Sequence, residues 1–191
     1  MKYQNEINKV IEALKKRGIE VTLLDDAVDG IEIGELKNGR ITINTRARNG
    51  ENLLFTLGHL FGHFVQFKDY DKYKHLIERV EEPKPLKNID QKFRDEFWEY
   101  EKEAFRIGKG LIKSVIEMPE ELERKYEIFM HTDYEFFFRF LETGNNITPE
   151  ELSDILEKRY ADKTITFDKY LEPIYVDDNL EIDPGMYVYI Y

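Results

Sequence analysis

The sequence predicts an α+β fold in which a small N-terminal antiparallel sheet packs on a histidine-bearing helix and further helices follow toward the C-terminus. Three observations predict it. Apolar residues recur at helical spacing in several long segments, short alternating runs flank an Asn38-Gly39 dipeptide, and the apolar run 53–65 carries two histidines, His59 and His63, four residues apart. A chain of 191 residues that is 41% hydrophobic can bury a core as one globular unit.

Taken in order, Tyr3, Ile7, Val10, Ile11 and Leu14 form one stripe, and Lys15-Lys16-Arg17-Gly18 ends that helix with cations and a glycine cap. Ile19, Val21 and Leu23 alternate as a strand. Residues 31–36 and 40–45 flank Asn38-Gly39, the dipeptide that most favours a two-residue type I′ hairpin. The histidine helix is expected from about 49–51 to 67. Residues 68–92 are charged and carry Pro83 and Pro85, so they read as an exposed connection with one short helical turn near 75–80. From about Ile89, the residues Phe93, Phe97, Ala104, Leu111, Ile112 and Val115 make a long helix that ends at Met118-Pro119.

A further helix is expected over about 120–141. Its run Tyr134 to Phe140 is apolar enough to be buried core. Thr148-Pro149-Glu150-Glu151 is a capping box that starts a shorter helix reaching about Tyr160. The tail from Thr164 to Tyr191 predicts two or three short strands, the last with Val188 and Ile190 alternating with tyrosines, which suits a terminal edge strand or a partner-binding edge.

Charge narrows the function classes. With 28 basic and 39 acidic residues the net charge is −11, a field that repels phosphate backbones and anionic lipid, so direct nucleic-acid and membrane binding are disfavoured. The polar start and the lack of any long apolar run lead us to expect a cytoplasmic protein. There is no cysteine, so a metal would have to be held by His, Asp or Glu.

On a helical wheel His59 and His63 lie about 40° apart, with Leu53, Leu57, Phe61 and Phe64 roughly opposite. The rings are therefore expected to face away from the main apolar packing. Gly58 and Gly62 occupy a third side, each costing ~1 kcal/mol relative to alanine within a helix, a cost that close approach of another backbone, such as the 38–39 hairpin, would offset. Two imidazoles one turn apart are spaced to share a metal, and a third ligand is needed. Glu101 supplies one, since it sits at the edge of the buried stripe of the next long helix, where a carboxylate needs a partner. His131 is an alternative ligand in an aromatic segment that favours a structural role, and His75 lies among charges. The zinc-peptidase pattern H-E-x-x-H places a general base directly after the first histidine; here that residue is Leu60.

The stretch Asn38-Gly39-Arg40-Ile41-Thr42-Ile43-Asn44, followed by Phe55-Thr56-Leu57-Gly58-His59-Leu60-Phe61-Gly62-His63-Phe64 and later by Glu101-Lys102-Glu103-Ala104-Phe105, resembles the ImmA/IrrE family of zinc metallopeptidases. That family shows a strand reading I-x-I-N, then F-T-L-A-H-E-L-G-H, then E-x-E-A-N. The resemblance covers roughly residues 19–116 and implies a zincin core over 1–118, with 119–191 as a helical and short-strand extension. It implies zinc as the cofactor and His59, His63 and Glu101 as its ligands, with Leu60, Phe105 and Glu103 around the cleft.

Leu60 replaces the catalytic glutamate, and Phe105 replaces an Asn or Asp expected to orient the site. The first change removes the proton acceptor for an attacking water. The second removes a polar partner of the kind that supports ligand basicity, which weakens metal affinity. The resemblance thus leads us to expect a degenerate, inactive peptidase homologue. It would act by binding a protein partner, such as a transcriptional repressor, in the regulatory or mobile-element settings of its relatives. Two alternatives are an active zinc peptidase that takes its base from Glu99, Glu103 or the 68–92 segment, and a metal-free structural or inhibitory protein on the same scaffold.

Overall fold

A computed structural model describes residues 2–24, 35–37, 39–45, 50–145, 147–161, 171–177 and 180. The elements are α1 (Gln4–Lys16), β1 (Glu20–Leu24), β2 (Glu35–Lys37), β3 (Arg40–Asn44), α2 (Gly50–Gln66), a 3-10 turn (Phe67–Asp69), α3 (Tyr70–Val80), α4 (Gln91–Val115), α5 (Glu120–Thr143) and α6 (Pro149–Ala161). The described residues are mostly helical with one small sheet. They group into two compact units, one drawn from Met1–Tyr73, Glu103–Met118 and Glu172–Tyr191, the other from Lys74–Lys102 and Pro119–Leu171. The division falls inside α4, a continuous helix that contributes residues to both.

In the first unit α1 buries Ile7, Val10, Ala13 and Leu14 against α2. It stops because Gly18 takes a positive φ of 79°, which an L side chain rarely adopts; Ile19 N–H then donates to Leu14 O and Gly18 N–H to Lys15 O, satisfying carbonyls of the last turn. The chain enters β1 directly. The sheet order is β1-β3-β2, with Ile41 and Ile43 of β3 fully buried and Leu23 on the edge strand β1 38% exposed.

The sheet corrects an expectation. β2 and β3 pair antiparallel around residues 38–39, as the hairpin signal implies, but β1 runs parallel to β3, with Val21 opposite Ile41 and Leu23 opposite Ile43. Alternation has a period of two in either direction, so it is blind to strand polarity, and the stretch between β1 and β3 is long enough for a parallel connection. The expected strand residues 31–34 and the dipeptide's Asn38 lie outside the described residues, as does Asn49 at the expected start of the histidine helix.

α2 is buried nearly all round, and this overturns the expected orientation of its histidines. His59 is 3% and His63 1% exposed. The wheel placed them opposite the leucines and phenylalanines correctly, but that side is covered as well. The cover is the second half of α4, not the hairpin: a Cβ on Gly62 would lie 2.0 Å from Ala104 O, and one on Gly58 would lie 2.8 Å from Ile112 Cδ1 and 3.1 Å from Gly108 O. The two glycines allow two backbones to meet where side chains would hold them apart, which is the compensation their helical cost requires.

Residues 70–80, expected as an exposed connection with one helical turn near 75–80, form the longer helix α3, with Tyr73 and Leu76 buried. In the second unit Asp90 Oδ1 accepts the Phe93 N–H at 2.8 Å and caps the start of α4. Phe93 and Phe97 then pack among Tyr134, Phe137 and Phe138 of α5 with ring centroids 5.8–6.3 Å apart. The capping box of α6 closes in both directions, Thr148 N–H to Glu151 Oε2 at 3.0 Å and Glu151 N–H to Thr148 Oγ1 at 3.2 Å. Of the expected C-terminal strands, residues 171–177 have no regular structure; Ile174 N–H donates to Arg106 O at 2.9 Å beside Gly110. The remaining strand positions of that tail lie outside the described residues.

Gly62→Ala drives a methyl into the Ala104 backbone, which cannot swing aside as a side-chain tip can. Overpacking of this kind costs about 2–3 kcal/mol, so the thermal midpoint should fall by roughly 4–12 °C for a domain of this size. An unchanged midpoint in a calorimetric scan would show that the helices are not in contact here.

Candidate metal centre

One side of α2 and one side of α4 bring together His59, His63 and Glu101. A ligand atom from each lies within 4.8 Å of the other two, and all three residues are buried. Among the described residues this is the one group of at least three His, Asp or Glu side chains so arranged. Glu101 is 2% exposed, as its place at the edge of the apolar stripe predicts.

The two imidazoles meet through their Nε2 atoms at 2.9 Å, with ring centroids 4.5 Å apart and planes tilted by 52°. Phe105, one turn beyond Glu101, stacks on the His59 ring at 3.8 Å and 15°. The residue that the resemblance places as an orienting polar group thus holds His59 by its face, without a hydrogen bond. Leu60 is buried.

His63 is held from the other end. Its Nδ1 lies 3.0 Å from Gln66 Oε1, Gln66 Nε2 donates to Glu103 Oε2 at 3.1 Å, and Lys72 Nζ donates to Glu103 Oε1 at 3.3 Å. Glu103, expected around the cleft, is therefore engaged with Gln66 and Lys72. Sequence reasoning missed Gln66 and Lys72. Gln66 had a signal, since a residue three positions after His63 shares its side of the helix; Lys72 had none, because it reaches Glu103 across 31 positions.

The donor set fits a divalent cation of the zinc type: two imidazole nitrogens and one carboxylate, with no thiolate available. At Zn–N distances of about 2.0–2.1 Å, tetrahedral angles separate two ligand nitrogens by about 3.3 Å. The Nε2 atoms at 2.9 Å would have to part by ~0.4 Å, a small side-chain adjustment. Water activation is less well served. Leu60 offers no proton acceptor, and Glu99, which is largely exposed, pairs with Lys102 at 2.9 Å.

The other two histidines lie elsewhere. His131 stacks on Trp98 at 5.0 Å in the second unit, and His75, 60% exposed, faces Glu96 at 3.4 Å. Next to Glu101, burial raises the Tyr100 phenol well above its usual value, and the Glu101 charge adds to the effect. Burial does the same to Tyr126, with a smaller contribution from Asp133. No protein-family model, curated protein or solved structure matches the chain.

The two phenols set an alkaline limit. Their folded values lie above the ordinary 10.0, so the folded state holds these protons more tightly than the unfolded chain. The stability they contribute is complete below pH 10 and is lost as pH rises beyond it. A circular-dichroism titration should show unfolding above about pH 10, and the double variant Tyr100→Phe/Tyr126→Phe should move that loss to higher pH. An identical alkaline midpoint in the variant would contradict this.

Proposed function

We propose that this chain is a catalytically degenerate zincin of the ImmA/IrrE type that keeps a buried cation site and acts by binding another protein in a regulatory role. The observation that carries the reading is the convergence of His59, His63 and Glu101. These are the positions that the family resemblance assigns to zinc ligands. A bound zinc would supply Lewis acidity and a positive charge beside the Glu101 carboxylate. The substitution of Leu60 for the glutamate base supports loss of hydrolysis, and the engagement of Glu103 with Gln66 and Lys72 supports it further. A net charge of −11 favours a protein partner, such as a DNA-binding regulator, over nucleic acid itself.

One observation favours the metal-free alternative. The Nε2–Nε2 distance of 2.9 Å is that of a hydrogen bond between the imidazoles, so the same cluster is satisfied with a proton in place of a cation. In that reading the histidine pair is part of a scaffold, and partner binding is unaffected by chelators.

Elemental analysis of protein purified without chelator separates the two. The metal-bound reading expects about one zinc per chain in the wild type and none in His63→Ala. Wild type without zinc, even after reconstitution, would establish the metal-free scaffold.

Hydrolysis is tested separately. The zinc-loaded wild type should leave an unstructured protein substrate intact, whereas Leu60→Glu should introduce slow, chelator-sensitive cleavage by restoring the proton acceptor. Chelator-sensitive cleavage by the wild type that is abolished in His59→Ala would overturn the degenerate reading.

A further inference from the structure

The polar groups that run from Lys72 to His63 admit only one sense of hydrogen bonding. The Lys72 ammonium can only donate, so Glu103 accepts from it at 3.3 Å. The Glu103 carboxylate can only accept, so the group that Gln66 turns toward it at 3.1 Å is the amide NH2. That orientation leaves the Gln66 amide oxygen facing His63 Nδ1 at 3.0 Å, and an oxygen without a proton requires the ring nitrogen to carry one. In the neutral ring His63 Nε2 is then the bare nitrogen. It points at His59 Nε2 and into the space shared with Glu101. Each link follows from the one before it, and the starting point is a lysine whose side chain is 52% exposed, at the surface end of the run.

Resting on the cation-site reading given above, we infer that Gln66 is a positioning residue: anchored by Glu103 and Lys72, it locks His63 in the Nδ1-protonated form and so presents the Nε2 lone pair to a borderline divalent cation such as Zn2+ or Co2+. Imidazole ligands elsewhere depend on such partners, whose removal typically weakens metal binding 10–100-fold. The run also accounts for a polar side chain at the end of an otherwise apolar helix, since Gln66 is 4% exposed and a buried amide needs both of its ends satisfied. The orienting group that Phe105 does not supply on one side of the site is supplied here on the other, from α2 itself.

The test has a metal-free arm and a metal arm. Long-range 1H–15N spectra of the metal-free wild type should show His63 protonated at Nδ1 and bare at Nε2. In Gln66→Met, which keeps the shape and loses the acceptor, that form should give way to a mixture or to the opposite tautomer. Co2+ titration followed by its visible absorption should show 10–100-fold weaker binding in Gln66→Met, at a thermal midpoint near that of the wild type. Glu103→Gln frees the Gln66 amide to turn, and it should give a smaller loss in the same direction. It also serves if Gln66→Met fails to fold.

A wild-type His63 protonated at Nε2, or wild-type Co2+ affinity in both variants, would overturn the inference. If the wild type binds no Co2+, the cation-site reading fails, and the metal-free tautomer still decides whether Gln66 sets the proton position.

Discussion

The structure depends on the approach of two backbones, α2 and α4, at Gly62 and Ala104. A Cβ at position 62 would stand 2.0 Å from the Ala104 carbonyl oxygen, so the contact exists only because residue 62 has none. Consequences follow directly. Contact at this distance covers the histidine side of α2, so His59 and His63 are buried instead of solvated. It also places Phe105 flat on His59 and Glu103 within reach of Gln66. A bulkier pair of residues at the crossing would separate the helices and dissolve the cluster without touching any of its members.

Burial then decides the chemistry. Polar groups removed from water must find partners, and those around His63 find them in sequence, ending at a lysine on the surface. The His59 side is different, with an aromatic face against the ring. The cluster is thus braced by hydrogen-bonded polar groups on the His63 side and by an aromatic face on the His59 side. The charged residues elsewhere on α4 support this division: Glu96 and Glu99 serve His75 and Lys102 at the surface.

Much of the architecture was legible in the residues themselves. The cations and glycine after Leu14, the Thr148–Glu151 box and the aromatic spacing of 93–97 and 134–138 name their elements because each signal is local. The grouping of His59, His63 and Glu101 was legible for a similar reason: two histidines one turn apart and a carboxylate on an apolar stripe can each be placed on a helix by counting. What could not be read is what crosses from one element to another. Strand direction leaves no trace in alternation, so the parallel pairing of β1 with β3 was hidden. The identity of the backbone covering Gly62 was equally hidden, and with it the burial of the rings. The first part of α3 was missed for a different reason, because Tyr73, Leu76, Ile77 and Val80 do recur at helical spacing but stand among charges that suggested a connection with only one helical turn at 75–80.

The most direct test of the account is anomalous diffraction at the zinc absorption edge from crystals of the zinc-loaded protein. The account predicts a single strong peak within bonding distance of His59 Nε2, His63 Nε2 and a Glu101 carboxylate oxygen. Zinc found elsewhere, or Glu101 turned away from the two rings, would contradict it.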